Sequence, residues 1–241
     1  MSTNFKIILG IFYIICLSIV LYFVFSFIDL TKLTEYSYIK DNTRSLIEFK
    51  NDNLIFFSLC FFIFVVIWIL LLGFGSPISL IAGFIFGKYL GTAICLISYT
   101  IGCSLLYTFA NLYFRDLVKK YLESKIEKFK VFFNRNEFLY FMLFRFVGGG
   151  GIPFGIQNVL PVIFNMKIKN YFYATFLGLI PTTFIISSIG SGIESIIDNN
   201  QNPSIFEAIL NPEINIPLIS FLGILIISYF IKKKIFKDNN Q

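Results

Sequence analysis

The sequence predicts an all-α membrane protein, a polytopic helical bundle built on two inverted, re-entrant hairpin-plus-span repeats. Three observations carry that prediction. Hydrophobic residues make up 56% of the 241, phenylalanine alone supplies 32, only 14% are charged and mean hydropathy is +0.78; a soluble domain carries about a quarter charged residues. The apolar residues fall into long runs, enough for roughly five or six membrane elements of about 20 residues, with no room for a separate soluble domain. Two of those runs are punctuated by glycine and proline, and each is followed by an unbroken one.

The first run, Ile7 to Ile28, holds about 22 uncharged residues. That is longer than a signal-peptide core of about 7 to 15 residues, and Asp29-Leu30-Thr31-Lys32 offers no small-residue cleavage site, so a retained span is expected. Thr34 to Lys50 then reads as a weakly amphipathic connector, and residues 1–53 form an N-terminal unit. The next run, Leu54 to Gly87, is too long for one span and too short for two. Gly73-Phe74-Gly75-Ser76-Pro77 breaks it, and Gly83, Gly87 and Gly91 follow at four-residue steps. The expected reading is a full span to about Leu72, a half-depth hairpin from Ser76 to about Leu90, with Pro77 as a structural residue of that hairpin, and a second span from about Gly91 to Leu112. The glycine spacing also suits close helix packing in lipid.

Phe114 to Phe133 places Leu117, Val118, Tyr121, Leu122, Ile126, Phe129 and Phe133 at three- and four-residue steps between lysines. This is the pattern of an interfacial helix on anionic headgroups, or of an ordinary connector. Phe138 to Met166 repeats the broken grammar through Arg145, the run Gly148, Gly149, Gly150, Gly151, then Pro153 and Pro161, and a full span from Tyr171 to Gly190 follows, containing Gly178 and Pro181. Setting Pro77 against Pro153 without gaps also sets Gly102 against Gly178, as an inverted-repeat transporter plan would. An acidic loop, a last span from Ile214 to Ile231 and a lysine-rich tail complete residues 193–241. The basic 113–137 segment and the tail belong inside by the positive-inside rule, and the acidic loop outside.

The same inventory limits the chemistry. The chain has no histidine, so zinc sites and histidine relays are excluded; Cys16, Cys60, Cys95 and Cys103 sit in apolar runs as small packing residues. No cofactor or metal is expected, and an enzyme is the least expected class, because membrane phosphatases and transferases need clustered acids, histidines or a metal. The net charge of +6 resides in the basic segments, and nucleic acid is not an expected partner.

Arg145 is the residue that packing explains least. A guanidinium within Leu139–Val147 costs several kcal/mol unless it faces a wet cavity, a carboxylate or a phosphate, or else snorkels from a shallow hairpin to the headgroups. Gly148 to Gly151 would let backbone amides approach an anion, or act as a flexible breaker. Asn158 and Gln157 offer amides at the hairpin, for a ligand or for backbone groups freed by Pro153 and Pro161.

These residues carry a resemblance. Leu143-Phe144-Arg145-Phe146-Val147, Pro153-Phe154, Asn158, Pro161, then Ala174 to Phe184 with Gly178 and Pro181, and Gly190-Ser191-Gly192 resemble the second half of the VTT domain that defines the DedA superfamily, which includes the SNARE-associated Golgi proteins. Ile81-Ala82-Gly83-Phe84-Ile85-Phe86-Gly87 and Gly91 resemble its first half, so residues 54–192 are identified with that domain. The resemblance implies re-entrant hairpins approaching from opposite leaflets and a role in lipid transport, with Arg145 and Asn158 on the second-hairpin motif. Two departures are present: a glycine run where many bacterial relatives have a proline, and no acid between Gly73 and Gly91, where the DedA branch carries acids. The second departure favours an energy-independent scramblase over a proton-driven pump.

The expected function is therefore phospholipid or lipid-phosphate translocation between leaflets, with membrane lipids, anionic headgroups among them, as partners and a homo-oligomer as an open possibility. A coupled small-solute transporter and a non-transporting scaffold are the alternatives. The expected site is in a bacterial inner membrane with the C-terminus cytoplasmic.

Overall fold

A computed structural model describes residues 15, 46–71, 73–113, 115–116, 120, 136–148, 152–198, 212, 214–223 and 226. The first predicted span, the interfacial helix at 114–133, Gly149 to Gly151, the acidic loop after 198 and the tail lie outside the described residues, apart from isolated positions. The chain divides into a unit ending at Leu54 and a unit from Ile55 onward; of the first, a helix α1 (Leu46–Asp52) is described. The elements that follow, all in the second unit but for Leu54 itself, are α2 (Leu54–Leu70), α3 (Gly75–Tyr113), α4 (Glu137–Phe146), α5 (Phe154–Val159) running into a 3-10 turn (Leu160–Phe164), and α6 (Ile168–Asp198). A shorter helix α7 spans Ile214–Gly223. No strand occurs among the described residues, and α3 and α6 are long and apolar enough to cross a membrane.

The backbone of α3 reverses at Gly87, at φ 76 and ψ 169. That region is open only to glycine, because a Cβ would clash with its own backbone. The limb 75–86 therefore folds back on 88–113. A Cβ on Gly91 would strike the Ala82 carbonyl, Cys95 Sγ lies 4.0 Å from the Ile78 carbonyl, and the Tyr99 hydroxyl donates to the Gly75 carbonyl at 2.6 Å. These nested pairs centre on Gly87.

The same limb packs antiparallel on α2. Phe86 meets Phe57 and Phe61 at ring separations of 5.7 and 5.2 Å, and at the other end the Trp68 indole donates to the Phe74 carbonyl at 3.0 Å. So α2 and 75–86 are the two limbs of a hairpin with Leu71, Gly73 and Phe74 at its tip, and 88–113 is the span that follows. This corrects the sequence reading in two places. Leu54–Leu70 is a hairpin limb rather than a full span, and the chain turns at Gly87 with no break at Gly91. The run read as one span has the right length, but its partner is set by tertiary pairing that hydropathy does not encode. Nor do Gly83, Gly87 and Gly91 form one packing face, since the reversal at Gly87 separates them. Gly83 meets the Ser187 backbone of α6, and Gly91 the opposite limb.

The second repeat is built alike. α4 leads to the tip, which Val147 and Gly148 enter and Ile152 and Pro153 leave, α5 and the 3-10 turn return, Asn165 reverses the chain at φ 53, and α6 crosses. Asn136 caps α4 by accepting from the Leu139 amide at 3.0 Å, and Pro161 opens the 3-10 turn, where its missing N–H leaves no gap in the pairing. The shift that sets Pro77 on Pro153 also sets Val66 on Met142, Ile69 on Arg145 and Gly102 on Gly178. Gly102 indeed faces Ile69 and the Val66 carbonyl, and Gly178 faces the Arg145 Cβ and the Met142 carbonyl. The two spans run antiparallel. Tyr107 stacks on Tyr171 at 4.5 Å and donates to the Met166 carbonyl at 2.6 Å, while Tyr89 meets Phe184 at 6.0 Å near the opposite ends. The two halves are thus inverted copies of one three-helix motif.

Candidate functional site at the hairpin tips

The two tips converge. A Cβ on Gly75, where the returning limb of the first hairpin begins, would lie 3.6 Å from the Phe154 ring, where that of the second begins. Between them lies a cavity of about 280 Å³ lined by both tips and by Thr182 and Thr183 of α6, with Phe221 of α7 at its margin.

Arg145 lines this cavity and is fully buried. Its place follows from the last turn of α4 pressing against Gly178, where any side chain would push the helix away: a Cβ there would come within 2.6 Å of both the Arg145 Cβ and the Met142 carbonyl. One terminal nitrogen donates to Asn158 Oδ1 at 2.6 Å and to the Tyr171 hydroxyl at 3.1 Å, the other to Gln157 Oε1 at 3.4 Å. The rings of Phe141, Phe154 and Tyr171 surround the guanidinium at 4.9, 5.3 and 5.9 Å, each cation–π contact contributing about 0.5–2 kcal/mol. Neutral acceptors and ring faces hold the charge without cancelling it; no carboxylate contacts it among the described residues. Among the described residues no nitrogen or oxygen acceptor lies within hydrogen-bond distance of its Nε or of Asn158 Nδ2, and the Cys103 thiol interacts with the guanidinium; a buried donor left unpaired usually costs about 1–3 kcal/mol.

The carboxamides are themselves fixed. Gln157 Nε2 donates to the Ile152 carbonyl at 2.6 Å and to the Gly148 carbonyl at 3.3 Å, and Tyr171 donates to the Asn158 carbonyl at 3.1 Å. Gln157 therefore closes the second tip on itself and turns its oxygen to Arg145.

Of the predicted site residues, Arg145, Gln157, Pro153 and Gly148 line the cavity, and Asn158 stands behind Arg145. Pro153 caps α5 at its N-terminus. Gly148 adopts φ 69, and its described role is to present a carbonyl; Gly149, Gly150 and Gly151 are outside the described residues. The residues assigned to the hairpins divide by role. Pro77 lies in the first turn of α3, Gly87 makes the reversal, Gly83, Gly91 and Gly178 permit close packing, and Pro181 sits inside α6. Sequence reasoning missed Tyr171, the aromatic ring set, and the Ser79–Tyr99 pair at 2.8 Å behind the first tip. Tyrosines and serines in apolar helices carry no signal of their own; only the fold gathers them.

At the far turn of the second hairpin, Arg115 donates to Asn165 Oδ1, and Glu137 accepts from the Lys167 amide at 3.2 Å and Asn170 at 2.6 Å. This polar clasp is absent from the Gly87 turn among the described residues.

The VTT domain family matches residues 73–192. A Transmembrane protein 41 homolog of Caenorhabditis elegans is 24% identical over 159 residues, covering 64% of this chain and 63% of the relative. The uncharacterized protein YqeD of Bacillus subtilis is 29% identical over 124 residues, covering 49% and 59%. The chain thus spans about three-fifths of the length of the curated relatives it matches. No solved structure matches it significantly.

Proposed function

Because this chain belongs to the DedA superfamily, as an integral membrane protein with a VTT domain, we propose that it moves phospholipids between leaflets, the headgroup passing the hairpin tips while the acyl chains stay in the bilayer. The single observation that carries this reading is Arg145: a fully buried cation, uncancelled by any described carboxylate, lining a cavity where two inverted hairpins meet. A lipid phosphate in that cavity would supply the counter-charge that no described carboxylate gives. Half-helices beginning at a shared central site are the arrangement by which inverted-repeat transporters hold anionic groups. In this reading the role is transport rather than catalysis, and no ion gradient is needed. The protein sits in a bacterial inner membrane with its basic tail cytoplasmic, as the lysine distribution favours.

The test is reconstitution into liposomes carrying a headgroup-labelled phospholipid, with a membrane-impermeant quencher outside. The expected result is quenching of both leaflets, varying with headgroup, and reduced toward the protein-free level by Arg145→Ala. Protection of the inner leaflet by the wild-type protein refutes lipid transport, and undiminished exchange in the variant removes Arg145 from it.

A further inference from the structure

Taking the phospholipid reading as given, we infer that the first hairpin supplies the other half of the phosphate seat: the opening turn of α3 at Gly75–Ser79 faces Arg145 across the cavity, and together they select a singly charged phosphodiester over a doubly charged phosphate.

Three observations place the seat. Gly75, Ser76 and Ser79 line the same cavity as Arg145. The first turn of a helix has backbone N–H groups without intrahelical partners, no side chain among the described residues accepts from this one, and the limb it opens runs 12 residues to Phe86, long enough to carry an N-terminal dipole. Arg145, fully buried, brings to the same cavity a charge that no described carboxylate contacts. Ser79 is turned away, bonded to Tyr99 and to the Gly75 carbonyl, so of the two serines in this turn Ser76 is the one whose hydroxyl has no partner among the described residues.

Charge selection follows from electrostatics. Desolvating an ion costs in proportion to the square of its charge, whereas attraction to one guanidinium grows only in proportion to it. Among the described lining residues the ionisable groups are Arg145 and Tyr99, so a monoanion neutralises the site and a dianion leaves one charge buried and unpaired. A phosphodiester carries one charge; a phosphomonoester carries one below its second pKa of about 6 and two above it.

The chain contains its own reporter. Its single tryptophan, Trp68, donates to the carbonyl of Phe74, itself a lining residue. In lipid-free detergent micelles, dimethyl phosphate should produce a saturable change in Trp68 emission that is equal at pH 5 and 7.5. Methyl phosphate should match it at pH 5 and bind about tenfold more weakly at 7.5. The chain has no histidine to change charge in this window. Equal or tighter binding of the dianion overturns the charge selection.

Ser76→Asp places a carboxylate where it suits the helix dipole, so folding should hold while dimethyl phosphate binding is lost; retained binding removes the first hairpin from the seat. Dihexanoyl-phosphatidylcholine competing at lower concentration than glycerophosphocholine identifies the lipid as ligand. The reverse order leaves the seat standing and overturns the phospholipid reading.

Discussion

At the residue scale, Arg145 is held by a geometry that only a planar, multi-donor cation satisfies. It reaches Asn158, Tyr171 and Gln157 at once and lies among three rings. Lysine offers a compact ammonium with no fork and a different hydration, so Arg145→Lys should retain the charge yet lose most leaflet exchange, measured in the same liposomes. Tyr171→Phe removes an acceptor for Arg145 and the donor to the Asn158 carbonyl while keeping the stack on Tyr107. It should cost about 1–3 kcal/mol by thermal unfolding in detergent, with exchange falling alongside. Arg145, Asn158 and Gln157 were legible in the sequence because a cation and two amides are anomalous in an apolar run. Tyr171 was not, because a tyrosine fits any span, and its role exists only once α6 lies against α4.

At the element scale, the fold depends on two kinds of glycine. Gly87 holds a backbone conformation that a Cβ forbids, so Gly87→Ala should destabilise the protein by about 1–3 kcal/mol even though nothing lies within 4 Å of the added atom. Gly83 is helical but meets the Ser187 backbone, and Gly190 likewise meets the Leu80 carbonyl. Gly83→Ala should therefore separate the first hairpin from α6, at a cost of about 1–3 kcal/mol, visible as a lowered unfolding temperature. The punctuation at Gly73–Pro77 and Gly148–Pro153 was readable as two tips. Which flanking runs were limbs was not, because a limb such as Leu54–Leu70 has the length and composition of a span. Only the Phe86 contacts with Phe57 and Phe61 decide it.

At the scale of the whole molecule, two inverted copies of one motif bring their tips together and leave the charged member of an otherwise apolar pair, Arg145 opposite Ile69, on one side. The inversion was foreshadowed by the match of Pro77 with Pro153 and Gly102 with Gly178. The convergence was not, since it arises from the packing of Gly83 and Gly190 across the halves. Arg115 with Asn165, and Glu137 with Lys167 and Asn170, tie down the second hairpin's turn. The most direct test locks the tips. With the native cysteines replaced, Gly75→Cys and Phe154→Cys would be joined by a short bifunctional thiol reagent, and exchange of headgroup-labelled lipid measured before and after joining. A path between the tips predicts that exchange drops to the rate of protein-free liposomes on cross-linking and recovers when a cleavable linker is cut; exchange that continues unchanged through the locked protein would contradict it.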